Sequence, residues 1–383
     1  MDGVFIALHG RPGEDGQLQI ELDKLDIPYN GSDAVSSAIT INKHRTLQTL
    51  KRNGFTVAEQ LVIKKSEYED DPAGYFNRIE SRFRYPFIAK PVDDGCSSAV
   101  KVINNRQQLE SFVRLMYRPV GQEGEEARRV LKLKPKEEFP RKGEILFETL
   151  VTKNGARQFM EITGGLLTHF EPDGSIRYEM FEPSEVLASG EVLSLEEKFL
   201  AGEGQNLTPA RFKPDYQAIA KQVKSDLERA ARILNVQGYA RIDAFVRVSE
   251  DSQAETIIIE INSLPGMTPA TAIFHQAALS GYKPFEFIDK ILTFAFQKKQ
   301  KAALPTEPET ILAETLEIKE PQAWQPLGSQ YMQSSKNTPE KDPINMDWQE
   351  RFKQISPFSR ELLWENVKNI FGSIWDFIKS ARG

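Results

Sequence analysis

The tightest constraint on this chain lies near its residues 239–262, where charged side chains interrupt two runs of strand-forming residues. Tyr239 to Val248 and Thr256 to Ile261 read as two strands joined by a polar turn, a hairpin. Arg241 and Asp243 are two apart and share a face; Glu260 and Asn262 do the same on the partner strand. Three oxygen-bearing side chains and a guanidinium can then converge. Such hard oxygen donors suit Mg²⁺ held jointly with substrate phosphates. The competing reading is cross-strand ion pairing of Arg241 with the two acids on an exposed sheet. Asn262 favours a site, because it adds a neutral oxygen and leads directly into Ser263-Leu264-Pro265-Gly266-Met267-Thr268-Pro269.

A hairpin needs a domain around it, and 383 residues suffice for two or three. Gly3 to Leu8 is a near-continuous apolar run, which reads as a strand buried on both faces. It starts so early that the chain looks as if it opens partway through a domain. A loop from His9 to Gly16 follows, then a helix through Leu25. Ser36 to Lys51 reads as one helix stopped by Asn53-Gly54. Strands are expected at Val57–Ile63, Pro86–Pro91, Val100–Ile103, Glu144–Val151 and Arg157–Leu167, with a helix from Gln107 to Met116. Gln122 to Lys142, charged and carrying two prolines, reads as a surface insertion. Pro214 to Val236 is the clearest helix, with Pro214 in its first turn. Phe274 to Phe296 holds one helix or two. Composition changes at Lys298. Lys299 to Asp347 reads as a linker, and a helical stripe returns in Leu363, Val367, Ile370, Ile374 and Ile378.

Composition narrows the function classes. A net charge of −6 offers no general nucleic-acid footprint. The single cysteine, Cys96, excludes an intrachain disulfide framework or a Cys-rich zinc site and fits a reducing, cytoplasmic compartment. No apolar run is long enough to cross a bilayer, and no signal-peptide pattern is visible.

Three further segments can carry chemistry. Lys90-Pro91 ends a strand and leads into Asp93-Asp94-Gly95-Cys96-Ser97-Ser98, a small hydroxyl-rich turn whose amides can cradle phosphates. It is not a Walker A loop, and read alone it is an ordinary turn. The loop at Glu14-Asp15 lies where open α/β sheets bind ligands, although Asp15 reads better as a helix cap. Glu196 to Asn206, long and glycine-containing, reads as a lid or a solvated surface loop.

In this order and spacing the segments resemble the D-alanine–D-alanine ligase family of ATP-grasp enzymes. The resemblance is carried by His9-Gly10, Gly13-Glu14-Asp15-Gly16, Asn42-Lys43, Lys90-Pro91, Gly238-Tyr239-Ala240-Arg241-Ile242-Asp243 and Glu260-Ile261-Asn262-Ser263-Leu264-Pro265-Gly266, and covers about residues 3–298. It implies an α+β ATP-grasp fold with a truncated α/β N-terminal domain: residues 1–33 as its remnant, 34–147 and 148–298 as two ATP-grasp subdomains, 299–347 as a disordered linker and 348–383 as an amphipathic helical tail. It implies ATP as co-substrate, contacted by Lys43, Lys90, Ser97, Ser98, Glu148, Val151 and Lys198. Asp243, Glu260 and Asn262 would ligate two Mg²⁺ (or Mn²⁺) ions. Arg241 and the Gly266 amide would stabilise the oxyanion, with Lys198 and Ser97 completing the catalytic set. His9, Glu14 and Thr271 would line the amino-acid pocket.

The implied reaction is phosphorylation of the D-alanine carboxylate by ATP, then attack by the amine of a second D-alanine. The chain departs from the family in several places. No counterpart of the family's first βαβ portion is visible. Either Cys96 or Ser97 takes the loop-serine role. Phe199 replaces the mobile-loop tyrosine, which points to D-lactate as a second acceptor. The acid expected at the ribose falls near Gln158. A homodimer is compatible with the resemblance, and the terminal helix offers a face for a partner or membrane surface. The rival readings are a catalytically impaired nucleotide-binding protein with a regulatory or scaffold role, and an ATP-grasp ligase with another acceptor.

Overall fold

A computed structural model describes residues 3–94, 99–134, 137, 139–187, 205–268 and 271–302. The chain divides into two units, Met1–Thr306 and Glu307–Gly383. The second unit, and with it the expected tail helix, lies outside the described residues, as does the linker beyond Ala302.

Within the first unit two antiparallel sheets carry the architecture. The smaller has the order β1 (Gln60–Lys64), β4 (Glu144–Thr149), β2 (Phe87–Pro91), β3 (Lys101–Ile103). Helices α4 (Lys65–Asp70), α5 (Pro72–Arg82), α6 (Arg106–Tyr117) and α7 (Glu125–Val130) belong to this half. Ile79, Phe87, Phe112 and Phe147 are fully buried in its core. The expected surface insertion at Gln122–Lys142 is corrected here. It contains α7, and Ala127, Leu131 and Phe139 are buried in the same core, so the charged residues are the wet face of a packed segment.

The larger sheet runs β10 (Ala254–Asn262), β9 (Tyr239–Val248), β5 (Gln158–Phe170), β7 (Ser184–Leu187), β8 (Gln205–Leu207), with β6 (Ile176–Met180) paired to β5. Helix α8 (Tyr216–Ile233) covers one face through Ile219, Val223 and Leu227. Its N-cap is Asp215, whose carboxylate accepts from Ala218 N at 3.1 Å. Pro214 therefore stands outside the helix rather than in its first turn. Two helices, α9 (Ala272–Leu279) and α10 (Pro284–Ala302), pack against β5. Helix α10 runs past Lys298, so the composition change there does not mark its end.

The two glycines of β5 show how closely helices approach. A Cβ on Gly164 would lie 2.4 Å from Leu227 Cδ1 on α8, and one on Gly165 would lie 2.4 Å from Gln276 Oε1 on α9. Alternation along the strand sends these two positions to opposite faces, so α8 and α9 sandwich the sheet.

The helix expected from Ser36 to Lys51 is two helices, α2 (Ala34–Thr40) and α3 (Lys43–Arg52). The break falls at Asn42, whose side chain caps α3 by accepting from Arg45 N at 2.9 Å. Helix α3 packs along β10, with Leu47 and Leu50 in the core of the larger sheet. Among the described residues no helix is long and apolar enough to cross a membrane.

The opening segment does not form the expected two-sided strand. Val4 makes a single parallel bridge to Tyr29, Ile6 is 2% exposed and Leu8 is 51% exposed. The side chain of Asn30 replaces the missing neighbour: Ile6 N donates to its Oδ1 at 2.5 Å, and its Nδ2 donates to Ile6 O at 3.2 Å. Replacing Asn30→Ala leaves that buried N–H and C=O without these partners and should cost about 2 kcal/mol or more. Urea unfolding of the purified protein reads this directly. Unchanged stability would show that the apolar contacts alone hold the segment.

Candidate active site

The site depends on one irregularity. Along β9 and β10 the register is regular from Ala254↔Val248 to Ile258↔Ala244, then shifts by one so that Glu260 faces Asp243 and Asn262 faces Arg241. Ile259 is the extra residue of this β-bulge. In an unbroken register Glu260 would oppose Ile242 and point to the other face. The bulge therefore puts all four polar side chains on one face. Across β5 the row continues, since Thr163 lies opposite Asp243 and Gly165 opposite Arg241.

Arg241 and Asp243 form a bidentate pair along the strand, Nε to Oδ1 at 3.0 Å and Nη2 to Oδ2 at 3.1 Å. Asn262 Nδ2 donates to Asp243 Oδ2 at 3.3 Å, and Thr163 Oγ1 donates to Asp243 Oδ1 at 2.7 Å. The expected competitor, ion pairing of Arg241 on an exposed sheet, is corrected in its setting: Asp243, Glu260 and Asn262 are all buried. Among the described residues no group of three or more His, Cys, Asp or Glu side chains forms a metal cluster. The oxygen set is two carboxylates and one amide, which suits a hard cation that takes its remaining ligands from phosphates and water.

Lys43, the first residue of α3, brings a charge to this face. Its Nζ lies 3.0 Å from Glu260 Oε2 and also donates to the carbonyl oxygen of Asp94. Burial, the largest influence, pulls the Lys43 pKa down, but Glu260, with Asp94 and Glu148, more than reverses it and holds the ammonium above the ordinary lysine value. Lys43 thus stays charged while buried, and it links the larger sheet to the segment after β2.

Lys90 on β2 pairs with Glu148 on β4, Nζ to Oε2 at 2.6 Å, with both side chains buried. Glu148 Oε1 accepts from Gln60 Nε2 at 2.7 Å, and Gln60 Oε1 in turn faces His44 Nδ1 and Gln48 Nε2, each at 3.1 Å. Burial lowers the His44 pKa. Glu148 stands inside β4, directly opposite Gln60 and Ile88, with Val151 half-buried just beyond the strand end.

The N-terminal loop closes the other end. Glu14, buried, accepts from Gly10 N at 2.7 Å and Leu264 N at 2.8 Å, and lies 2.9 Å from His9 Nδ1. This carboxylate ties the first loop to the segment after β10. Asp15 accepts from Gln17 N at 3.1 Å and from Arg11 at 2.8 Å, so it braces the start of α1 (Gln17–Lys24), whose N-cap is Gly16. Arg11 also bonds Asp93 at 2.6 Å. Gly266 is half-buried, and Thr271 is buried with its hydroxyl on Thr268 O at 2.8 Å. Gln158 is tied to Arg211 O and Lys213 N.

Of the expected residues, Lys43, Arg241, Asp243, Glu260 and Asn262 are joined in direct contacts, and His9, Glu14 and Leu264 form a second set. Lys90 and Glu148 make a third. Ser97, Ser98, Cys96, Lys198 and Phe199 lie outside the described residues. Thr163 and Gln60 were not singled out from sequence. Thr163 is β-branched in a strand, so its hydroxyl leaves no pattern signal, whereas Gln60 could have been flagged as the polar residue that opens the apolar run Leu61-Val62-Ile63.

The model of the family described as D-ala D-ala ligase C-terminus matches residues 49–119 and 147–293. The D-alanine–D-alanine ligase of Leptospira interrogans serovar Lai is 29% identical over 297 residues, covering 78% of this chain and 74% of its own. That of Syntrophobacter fumaroxidans is 29% identical over 298 residues, covering 78% and 81%. Among solved structures, the VanG D-Ala:D-Ser ligase from Enterococcus faecalis superposes with a TM-score of 0.57 at 22% identity, covering 77% of this chain and 73% of that one. The ATP complex of the Bacillus anthracis D-alanine–D-alanine ligase gives 0.54 at 20% identity, covering 79% and 81%. The two antiparallel sheets with their helices are thus an ATP-grasp fold. With the family model matching over half its length, the chain belongs to the D-alanine–D-alanine ligase family.

Glu148→Gln should cost about 3 kcal/mol, because it leaves the buried Lys90 ammonium without its counter-ion. Adding Lys90→Met should recover much of that loss, which thermal unfolding of the two variants can measure. A single variant as stable as the parent would mean that the pair is not what balances Lys90.

Proposed function

We propose that the chain is an ATP-dependent carboxylate–amine ligase that joins D-alanine to a second D-alanine for peptidoglycan precursor synthesis in the cytoplasm. One observation carries this reading: at the β10 bulge, two buried carboxylates and an amide meet two cationic side chains, Lys43 and Arg241, on one sheet face.

Asp243, Glu260 and Asn262 would hold Mg²⁺, whose donor preference they meet. Bound with the nucleotide, the cation supplies charge neutralisation for phosphoryl transfer. Lys43 and Lys90 bind the phosphates as point charges, exchanging their carboxylate partners for phosphate oxygens. Arg241, together with the Gly266 N–H, binds the oxyanion that forms when the amine attacks. Glu14 orients the first loop and the 263–266 segment against each other, and His9 and Thr271 line the amino-acid side. Ser97, Ser98, Val151 and Lys198 complete the nucleotide contacts in this reading. The family relationship and the named ligases among its relatives support it.

The test is direct. Purified protein with ATP, Mg²⁺ and D-alanine should release ADP and form the dipeptide, detected by mass spectrometry. Offering D-lactate and D-serine beside D-alanine reads the acceptor, and Phe199 leads us to expect some depsipeptide. Asp243→Asn or Glu260→Gln should lower turnover about 100-fold or more, since each removes several kcal/mol of charge stabilisation. ATP hydrolysis that ignores every amino and hydroxy acid offered would overturn the proposal in favour of a nucleotide-binding protein without ligase activity.

A further inference from the structure

We infer that Thr163 is a positioning residue for the cation site, acting through Asp243; this rests on the ligase reading above only in taking Asp243 as a cation ligand. Thr163 sits mid-strand on β5, buried, in register with Asp243 on β9. Valine would fill the same space with the same strand preference and no polar atom. A buried hydroxyl costs free energy unless it is hydrogen-bonded, and here its bond goes to Asp243 Oδ1 at 2.7 Å, shorter than the bonds from Arg241 and Asn262 to that carboxylate.

The value of a neutral donor lies in what the other donors must do. Arg241 contributes two of the bonds to Asp243, yet in the reaction its guanidinium is needed on the substrate. Once Arg241 turns away, a carboxylate held by it alone would be free to rotate. The proposed function gives Thr163 no contact with substrate. Its hydroxyl keeps Oδ1 fixed, and Oδ2 remains on the side of Asn262. The backbone of Thr163 is itself held, because Gln276 on α9 donates through Nε2 to Thr163 O at 2.8 Å and to Ser184 Oγ at 2.9 Å. Gly165, two residues along, has no side chain to block that amide. A rigid path therefore runs from α9 through the backbone of β5 to the Asp243 carboxylate.

Groups that orient a metal ligand typically change metal affinity by about 10- to 100-fold when lost. The experiment measures Mn²⁺ affinity of the full chain by electron paramagnetic resonance, without nucleotide, for the parent, Thr163→Val, Thr163→Ala and Thr163→Ser. Valine and alanine should each weaken Mn²⁺ binding about 10-fold, and serine, which keeps the hydroxyl, should stay near the parent. The Mg²⁺ concentration for half-maximal ligation should rise in the same two variants. Equal affinities across the series, equal loss in serine and valine, or no Mn²⁺ binding by the parent would overturn the role. A parent that binds Mn²⁺ with this dependence on Thr163 but makes no dipeptide would remove the ligase reading and leave the role of Thr163 standing.

Discussion

The one-residue shift between β9 and β10 is the constraint on which the rest of the site depends. It turns Glu260 and Asn262 toward Asp243 and Arg241. The other face of the same strands stays apolar, with Ile242, Ala244 and Ile258 in the core beneath α8. A regular hairpin would split these groups between a core that cannot solvate them and a face holding only half of them. The bulge lets one hairpin close a hydrophobic core and build a polar site back to back.

Charge in this site is balanced before any ligand arrives. Lys43 pairs with Glu260, Lys90 with Glu148, and Arg241 with Asp243. Each pair is buried or nearly so, and an unpaired member would carry a large desolvation cost. In the proposed function, ligand binding would be an exchange, with phosphate and cation replacing partners that the protein already supplies. The same pairs tie elements that are distant in sequence. Lys43 connects α3 to β10 and to the segment after β2, while Glu14 connects the first loop to Leu264. The contacts that assemble the site therefore also hold the segment after β2 and the first loop against the larger sheet.

Much of this was legible beforehand. The hairpin, the α8 helix and the strands at residues 87–91, 144–149 and 158–170 follow from apolar periodicity, because each buries one face against a core. The polar residues at 241, 243, 260 and 262 and Lys90 stood out by residue type, whereas Lys43 entered only through the family resemblance. The opening segment misled, because an apolar run specifies burial but not a strand neighbour; Asn30 satisfies Ile6 instead. The Gln122–Lys142 segment misled in the opposite sense, since its charges masked the three residues that reach the core.

The sequence by itself determined which residues can alternate to a common face and which side chains carry oxygen or positive charge, because those depend only on local spacing and chemistry. Only the tertiary structure decided that the two halves of the hairpin share that face, that Thr163 and Gln60 donate to the buried carboxylates of Asp243 and Glu148, and that Lys43, Lys90 and Arg241 each meet a carboxylate. Those outcomes depend on register across strands and on which helix packs where, and neither is encoded within any one segment.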